Sequence, residues 1–200
     1  MNDLTIVYWR DIPAQLIIGS GRKAIKFKLT NSSYSSIQDN IIKNFSQTNN
    51  FTFNFRQTVN GKDELGKCVI AYPKKIYCKY DMRYNKTLVS DGKNLVVKSD
   101  KNNQYYLYPL KKTPFNAILN KEYLINQMKN SKGILVDNKY YKIKIIKDNY
   151  EINIFFDIES LKIVGWQTED IYKNLVVTYI HDIKYNVKID NKIFVLPENN

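Results

Sequence analysis

From Phe51 to Phe115 the chain reads FTFNFRQTVNGKDELGKCVIAYPKKIYCKYDMRYNKTLVSDGKNLVVKSDKNNQYYLYPLKKTPF, a series of short apolar and aromatic runs broken by turn signals. The breaks recur every eight to twelve residues or so, the rhythm of an all-β sandwich or barrel. Phe51, Phe53 and Phe55 alternate with Thr52, Asn54 and Arg56, which sets three aromatic rings on one face of a strand. Asn60-Gly61 and Asp91-Gly92 are hairpin signals. The pattern predicts strands over 65–72 and 75–81 around Tyr72-Pro73-Lys74. It predicts further strands in KTLVS, KNLVVKS and, after a turn at Lys101-Asn102-Asn103, QYYLYPL. A sheet with one greasy face needs a cover, and nothing in the stretch resembles a catalytic centre. The pattern describes a container before it describes a catalyst.

The rest of the chain supplies that cover. Ser36 and Asp39 are spaced close to a capping box, and Ile37, Ile41, Ile42 and Phe45 follow at helical spacing, predicting an amphipathic helix over 36–48. Thr113 suits an N-cap with Pro114 in the first helical position, where a missing N–H costs nothing. Phe115, Ile118 and Leu119 form the apolar side, and a second helical piece over 121–130 carries Leu124, Ile125 and Met128. Strands return at 140–146, 150–156, 161–167, 174–180 and 192–196, with turns at Asp148-Asn149 and Asp157 to Ser160. The fold class is mainly β (α+β).

Residues 1–30 differ in character, predicting a short N-terminal extension ahead of a domain over 34–200. Thr5 to Trp9 reads as a strand, Asp11-Ile12-Pro13 as a break, Ala14 to Ile18 as a second extended run, and Gly19-Ser20-Gly21 as a turn. The segment GSGR is too short for a phosphate loop. Thr30 to Ser33 reads as a polar linker. No basic region followed by an apolar core is visible near the start, so no signal peptide is expected there.

Composition narrows the function classes. The net charge is +12, carried almost wholly by Lys; Arg occurs only at 10, 22, 56 and 83. Scarce Arg argues against reading of nucleic acid, which relies on bidentate guanidinium contacts. Tyr105, Tyr106 and Tyr108 beside Lys111 and Lys112 form the one arrangement that would stack bases, and strand aromatics beside solvated lysines explain it more simply. The single histidine, His181, excludes multi-His metal sites, and Cys68 and Cys78 without further ligands make no zinc site. No enzyme, metal or cofactor is expected. A hairpin centred on Pro73 places 70 opposite 76 and 68 opposite 78. Cys68 and Cys78 then become cross-strand neighbours about 4.5–5.5 Å apart at Cβ, near disulfide range. Two readings follow: a bridge in an oxidising compartment, or two buried thiols acting as small hydrophobes.

From about Ile37 to Pro197 the chain resembles the periplasmic outer-membrane lipoprotein carrier protein family, LolA. The resemblance is carried by FNFRQ (53–57), GKCVIAYPKKIYCKY (66–80), LVSDGKNLVV (88–97), YPLKKTPF (108–115), IFFDIESLKIVGWQTED (154–170) and IFVLP (193–197). It implies an unclosed antiparallel β-barrel, a half-pipe covered by lid helices, working as a soluble monomer in the periplasm. Its partners would be acylated lipoproteins, an inner-membrane ABC lipoprotein-release complex and an outer-membrane lipoprotein receptor. By strand parity, Phe51, Phe53, Phe55, Cys68, Ile70, Ile76, Cys78, Leu95, Val97, Ile152, Ile154 and Phe156 line the groove. Ile37, Ile41, Phe45, Ile118 and Leu119 face it from the lid. The family carries an Arg latch before its Pro; Tyr72 stands there in this chain. A lipoprotein-sensing or receptor domain on the same half-barrel is the alternative, and it would need a lipidated Cys near its start. Residues 1–30 resemble the opening of a small proteobacterial domain labelled only "virulence factor", through VYWRDIPAQ (7–15) and GRK (21–23).

Overall fold

The computed structural model describes residues 4–9, 12–18, 25–28, 32–81, 83, 85–99, 101, 103–147, 150–170 and 173–199. The chain divides into two compact units, Met1–Asp39 and Asn40–Asn200. In the first, β1 (Leu4–Trp9), β2 (Ile12–Ile18) and β3 (Ile25–Lys28) form a three-stranded antiparallel sheet in that order. Ile12 and Pro13 are part of β2, not a break; the register shifts between Val7 and Tyr8, where Pro13 is paired. A bulge is where a strand tolerates a residue with no N–H to give. β3 was not foreseen, and the predicted turn at 19–21 lies outside the described residues.

Helix α1 spans Ser32–Ser46. It begins a turn before the predicted start. Ser32 and Ser33 are helical rather than linker, and Ser36 lies inside the helix instead of capping it. Tyr34 stands three residues before Ile37 and extends the same helical spacing, a signal stronger than the Ser-x-x-Asp pattern.

The second unit is one sheet of eleven strands. One meander comprises β4 (Asn50–Val59), β5 (Lys62–Ala71), β6 (Lys75–Tyr80), β7 (Lys86–Asp91), β8 (Asn94–Ser99) and β9 (Gln104–Pro109). The other comprises β10 (Ile134–Val136), β11 (Tyr140–Lys147), β12 (Tyr150–Asp157), β13 (Ile163–Glu169) and β14 (Leu175–Tyr185). They join where β14 pairs antiparallel with β4, giving the order β10-β11-β12-β13-β14-β4-β5-β6-β7-β8-β9. β9 and β10 are the two free edges, so the barrel is not closed. Register shifts at Phe155/Phe156 and His181/Lys184 bend the second meander, as bulges do. Gly165 sits opposite the first shift, where a Cβ would strike the Thr178 carbonyl. Gly66 leaves room for Phe55, whose ring atoms lie 2.8 Å from where a Cβ would be. That ring meets Tyr80 edge-on with centroids 5.0 Å apart.

The segment between the meanders holds α2 (Phe115–Ile118) and α3 (Lys121–Asn130). Thr113 does not cap α2: its hydroxyl donates to the Leu110 carbonyl at 2.9 Å, closing a 3-10 turn over Leu110–Lys112. Asn120, unforeseen, caps α3 by accepting the Tyr123 N–H. The expected strand at 192–196 is instead a 3-10 turn, Asn191–Phe194, packed on β6 and β7. Lys75 Nζ lies 5.6 Å from the centre of the Phe194 ring. By alternation this is the convex side, where Val89 and Val96 are also buried. β10 is a three-residue strand that its length hid from pattern reading. The turns at Asn102 and Asp148-Asn149 lie outside the described residues.

Candidate functional site

The concave face is a continuous apolar surface. On β4, Phe51, Phe53 and Phe55 are all buried, while Arg56 is exposed. The register carries the same face across Ile70 and Cys68 on β5, Ile76 and Cys78 on β6, and Leu95 on β8. On the other meander Ile152, Ile154 and Phe156 are each no more than 1% exposed. Val97 is different: it is half-buried, paired with Tyr106 on the edge strand, so it lies toward the lip. Cys68 and Cys78 are directly paired and joined by a disulfide, with Cα atoms 4.1 Å apart.

Several residues of this face were not singled out in the sequence. Ile143 and Ile145 on β11, Trp166 on β13 and Ile180 on β14 are buried beside the named set. The alternation of Ile143 and Ile145 with Lys142 and Lys144 is the signal that locates the first pair. Trp166 meets Phe53 edge-on at 6.0 Å.

The cover is formed by α1, α2 and α3. Ile41 and Phe45, one turn apart on α1, are buried, as are Ile118, Leu119, Leu124 and Met128. Ile37 falls in the first unit and is half-buried. Phe45 is the central plug. Its ring meets Tyr72 edge-on at 5.7 Å and Phe156 edge-on at 6.4 Å, so one side chain spans from the β5–β6 turn to β12. Tyr72, at the position of the family's Arg, therefore faces the cover through its ring. Phe51 lies between Tyr72 at 6.3 Å and Tyr185 at 5.7 Å. Burial pushes the Tyr72 hydroxyl far above its ordinary range, with Tyr185 adding to the shift. Burial pushes Tyr185 up to about 12. Both phenols stay neutral across physiological pH, so neither adds a negative charge at this end of the groove, where Lys162 Nζ lies 5.8 Å from the centre of the Tyr185 ring.

Polar pins hold the joint between α1 and β4. Lys121 donates to the carbonyls of Ser46 at 3.1 Å and Thr48 at 3.0 Å, placing a cation on the negative end of α1. The Asn49 N–H donates to Asn186 Oδ1 at 2.7 Å, and Asn186 Nδ2 donates to the Gln47 carbonyl at 3.0 Å. The Tyr72 N–H donates to the Asn49 carbonyl at 2.9 Å. Sequence spacing carries no trace of these bonds, because Asn186 is more than a hundred residues from the joint. Beside Phe45 a cavity of about 210 Å³ opens, lined by Phe156, Leu161, Ile163 and Tyr185 with Asn44 and Gln47.

His181 is exposed on the β14 bulge with its Nδ1 2.9 Å from Asp182 Oδ2, away from the concave face. Among the described residues no group of His, Cys, Asp and Glu has the arrangement of a metal site, and no helix is long and apolar enough to cross a membrane.

The sequence matches the family described as outer membrane lipoprotein carrier protein LolA over residues 46–197. The chain belongs to the LolA family. The match begins at Ser46, the last residue of α1, so it starts later than the resemblance seen from Ile37 and takes in the whole sheet. No curated protein matches the sequence. Similar solved structures include an uncharacterized conserved protein from Thermus thermophilus, with TM-score 0.48 and 8% identity, covering 83% of this chain and 95% of that one. A LolA superfamily protein from Nitrosomonas europaea has TM-score 0.45 and 11% identity, covering 82% and 97%. The Mycobacterium tuberculosis lipoprotein LppX has TM-score 0.42 and 9% identity, covering 80% and 100%. At these values the family assignment rests on the match over 46–197.

Proposed function

We propose that this LolA-family protein is a periplasmic carrier that shelters lipoprotein acyl chains against the concave face of its half-pipe. It receives them from an inner-membrane ABC release complex and yields them to an outer-membrane receptor, acting by binding alone. The observation that carries the reading is the aromatic and aliphatic floor from β4 to β12, covered by a helix whose own apolar stripe is thin. Each methylene kept from water contributes about 0.8 kcal/mol, so long acyl chains need a buried apolar surface of this extent. In the described state that surface is filled by the cover. Ligand pockets run to roughly 300–1,000 Å³, more than the cavity of about 210 Å³ beside Phe45. Binding therefore requires α1 to swing away, with Gln47 to Asn49 as the hinge and Ile41, Phe45, Ile118 and Leu119 exchanging floor contacts for acyl contacts. The Cys68–Cys78 disulfide supports an oxidising compartment.

The test is binding of a diacylated lipopeptide, followed by fluorescence of Trp166 and by co-purification. We expect the parent to bind with a Trp166 signal and the deacylated peptide not to bind. Equal binding of the two peptides would refute the acyl reading.

A further inference from the structure

We propose that the protein carries a second binding site, for a phosphate-bearing anion, in a basic pocket at the rim of the sheet. A cavity of about 380 Å³ lies between the β5–β6 turn, the β7–β8 turn and the segment leading into α2. Lys74, Lys93 and Lys111 line it with Asn94, Asn116 and Leu110, and no Asp or Glu is among the lining residues. None of its lining residues belongs to the concave floor, and anion binding here does not require acyl binding there.

The three lysines come from three separate elements, and the backbone fixes each. Lys74 has φ of 64°, a conformation that non-glycine residues seldom adopt. Its N–H donates to the Leu119 carbonyl at 2.8 Å, and its carbonyl accepts from the Ser90 hydroxyl at 3.0 Å. The Lys93 N–H donates to Asp91 Oδ1 at 2.8 Å, while the Lys93 carbonyl accepts the Leu110 N–H at 2.9 Å. Lys111 sits in the 3-10 turn that Thr113 closes onto Leu110. The backbone at these positions is held in place, and none of the three lysines is in an ion pair among the described residues. Asp91, beside the β7–β8 turn, accepts the N–H groups of Lys93 and Asn94 through Oδ1.

Three lysines without ion pairs around one cavity give it a positive field, which an anion in the cavity would offset. Lysine is a compact point charge that suits a phosphate. The side-chain amides of Asn94 and Asn116 add neutral donors at the same cavity. The phosphate comes either from a lipid headgroup or from solution, since the chemistry of the pocket is the same for both.

The experiment is an amide-resolved NMR titration of the full chain with inorganic phosphate. It is paired with flotation on vesicles of phosphatidylglycerol and phosphatidylcholine against phosphatidylcholine alone. The variants are K74Q/K93Q/K111Q and a charge-matched control, K62Q/K129Q/K188Q, whose lysines are all exposed. We expect saturable shifts at Lys74, Gly92, Lys93, Lys111 and Asn116, in phosphate or on the anionic vesicles. The first triple should weaken binding about tenfold to a hundredfold, and the control should leave it near the parent value. Binding to phosphate without vesicles assigns the solution source; binding to vesicles without phosphate assigns the headgroup. Absence of binding in both arms overturns the proposal. So do unsaturated shifts spread over all surface lysines, or equal losses in the two triples. Amide spectra of each variant establish that it is folded.

Discussion

Strand β4 and the second half of α1 both bury phenylalanines in the same core, yet they are held in different ways. β4 is paired along its length by β14 on one side and β5 on the other; Phe51 stacks on Phe53, and Phe53 meets Trp166 edge-on. α1 has no ladder. From Asn40 onward it enters the core through Ile41 and Phe45, and at its end by the hydrogen bonds of Lys121 and Asn186. Equal burial does not mean equal stability: the strand cannot leave without breaking the sheet, whereas opening the helix would expose only one thin stripe and a few polar pins, the basis of the proposed movable cover.

The largest expected effect breaks the floor. Phe53→Glu buries a carboxylate with no partner, and we expect a loss of about 3–5 kcal/mol in global stability together with loss of acyl binding. Lys67→Glu, on the exposed face of the neighbouring strand, should stay within about 0.5 kcal/mol. Denaturant midpoints and lipopeptide binding check the pair. Equal effects of both changes would show that concave and convex faces have been confused.

A matched pair of truncations sharpens the contrast. Phe51→Ala should lower the global unfolding free energy by about 3–5 kcal/mol. Phe45→Ala removes a ring of the same size, but its effect should appear mainly as easier local opening of residues 40–46, with a smaller shift of the global midpoint. Exchange rates and midpoints measured on both variants decide this; identical global losses would mean that α1 unfolds only with the sheet.

Much of this contrast was legible in the sequence. Alternation placed Phe51, Phe53 and Phe55 on one face, because a period of two leaves no choice once one side is apolar. A hairpin centred on Pro73 set Cys68 opposite Cys78, because a short turn fixes register. What failed was whatever depends on distant partners. Thr113 looked like a cap until the Leu110 carbonyl took its hydroxyl. The C-terminal segment looked like a strand from IFV, but it folds as a 3-10 turn packed on β6 and β7, a contact that local spacing does not reveal. Val97 obeyed parity, yet it sits next to an edge strand, so burial falls away there. The pins from Lys121 and Asn186 are single polar residues with no periodicity.

The next effects are smaller. Replacing both cysteines by serine removes a short closed loop and should cost about 2 kcal/mol, the low end for disulfides. Since the bridge links β5 to β6, the loss should appear in the floor, leaving exchange in 40–46 no faster relative to it. Lys121→Met should cost about 1 kcal/mol, a charge-assisted bond discounted for partial exposure. That loss should appear in α1 alone. A Lys121→Met effect spread evenly over the sheet would contradict its role as a pin on the cover.

Native-state amide exchange of residues 41–46 against 51–55, with and without diacylated lipopeptide, separates a movable cover from one that opens only with the sheet. We expect residues 41–46 of α1 to open at a free energy well below that of β4 in the free protein. On binding lipopeptide, protection of α1 should change while β4 stays as protected as before. Equal protection of the two segments in both states would contradict a movable cover over an acyl-binding floor.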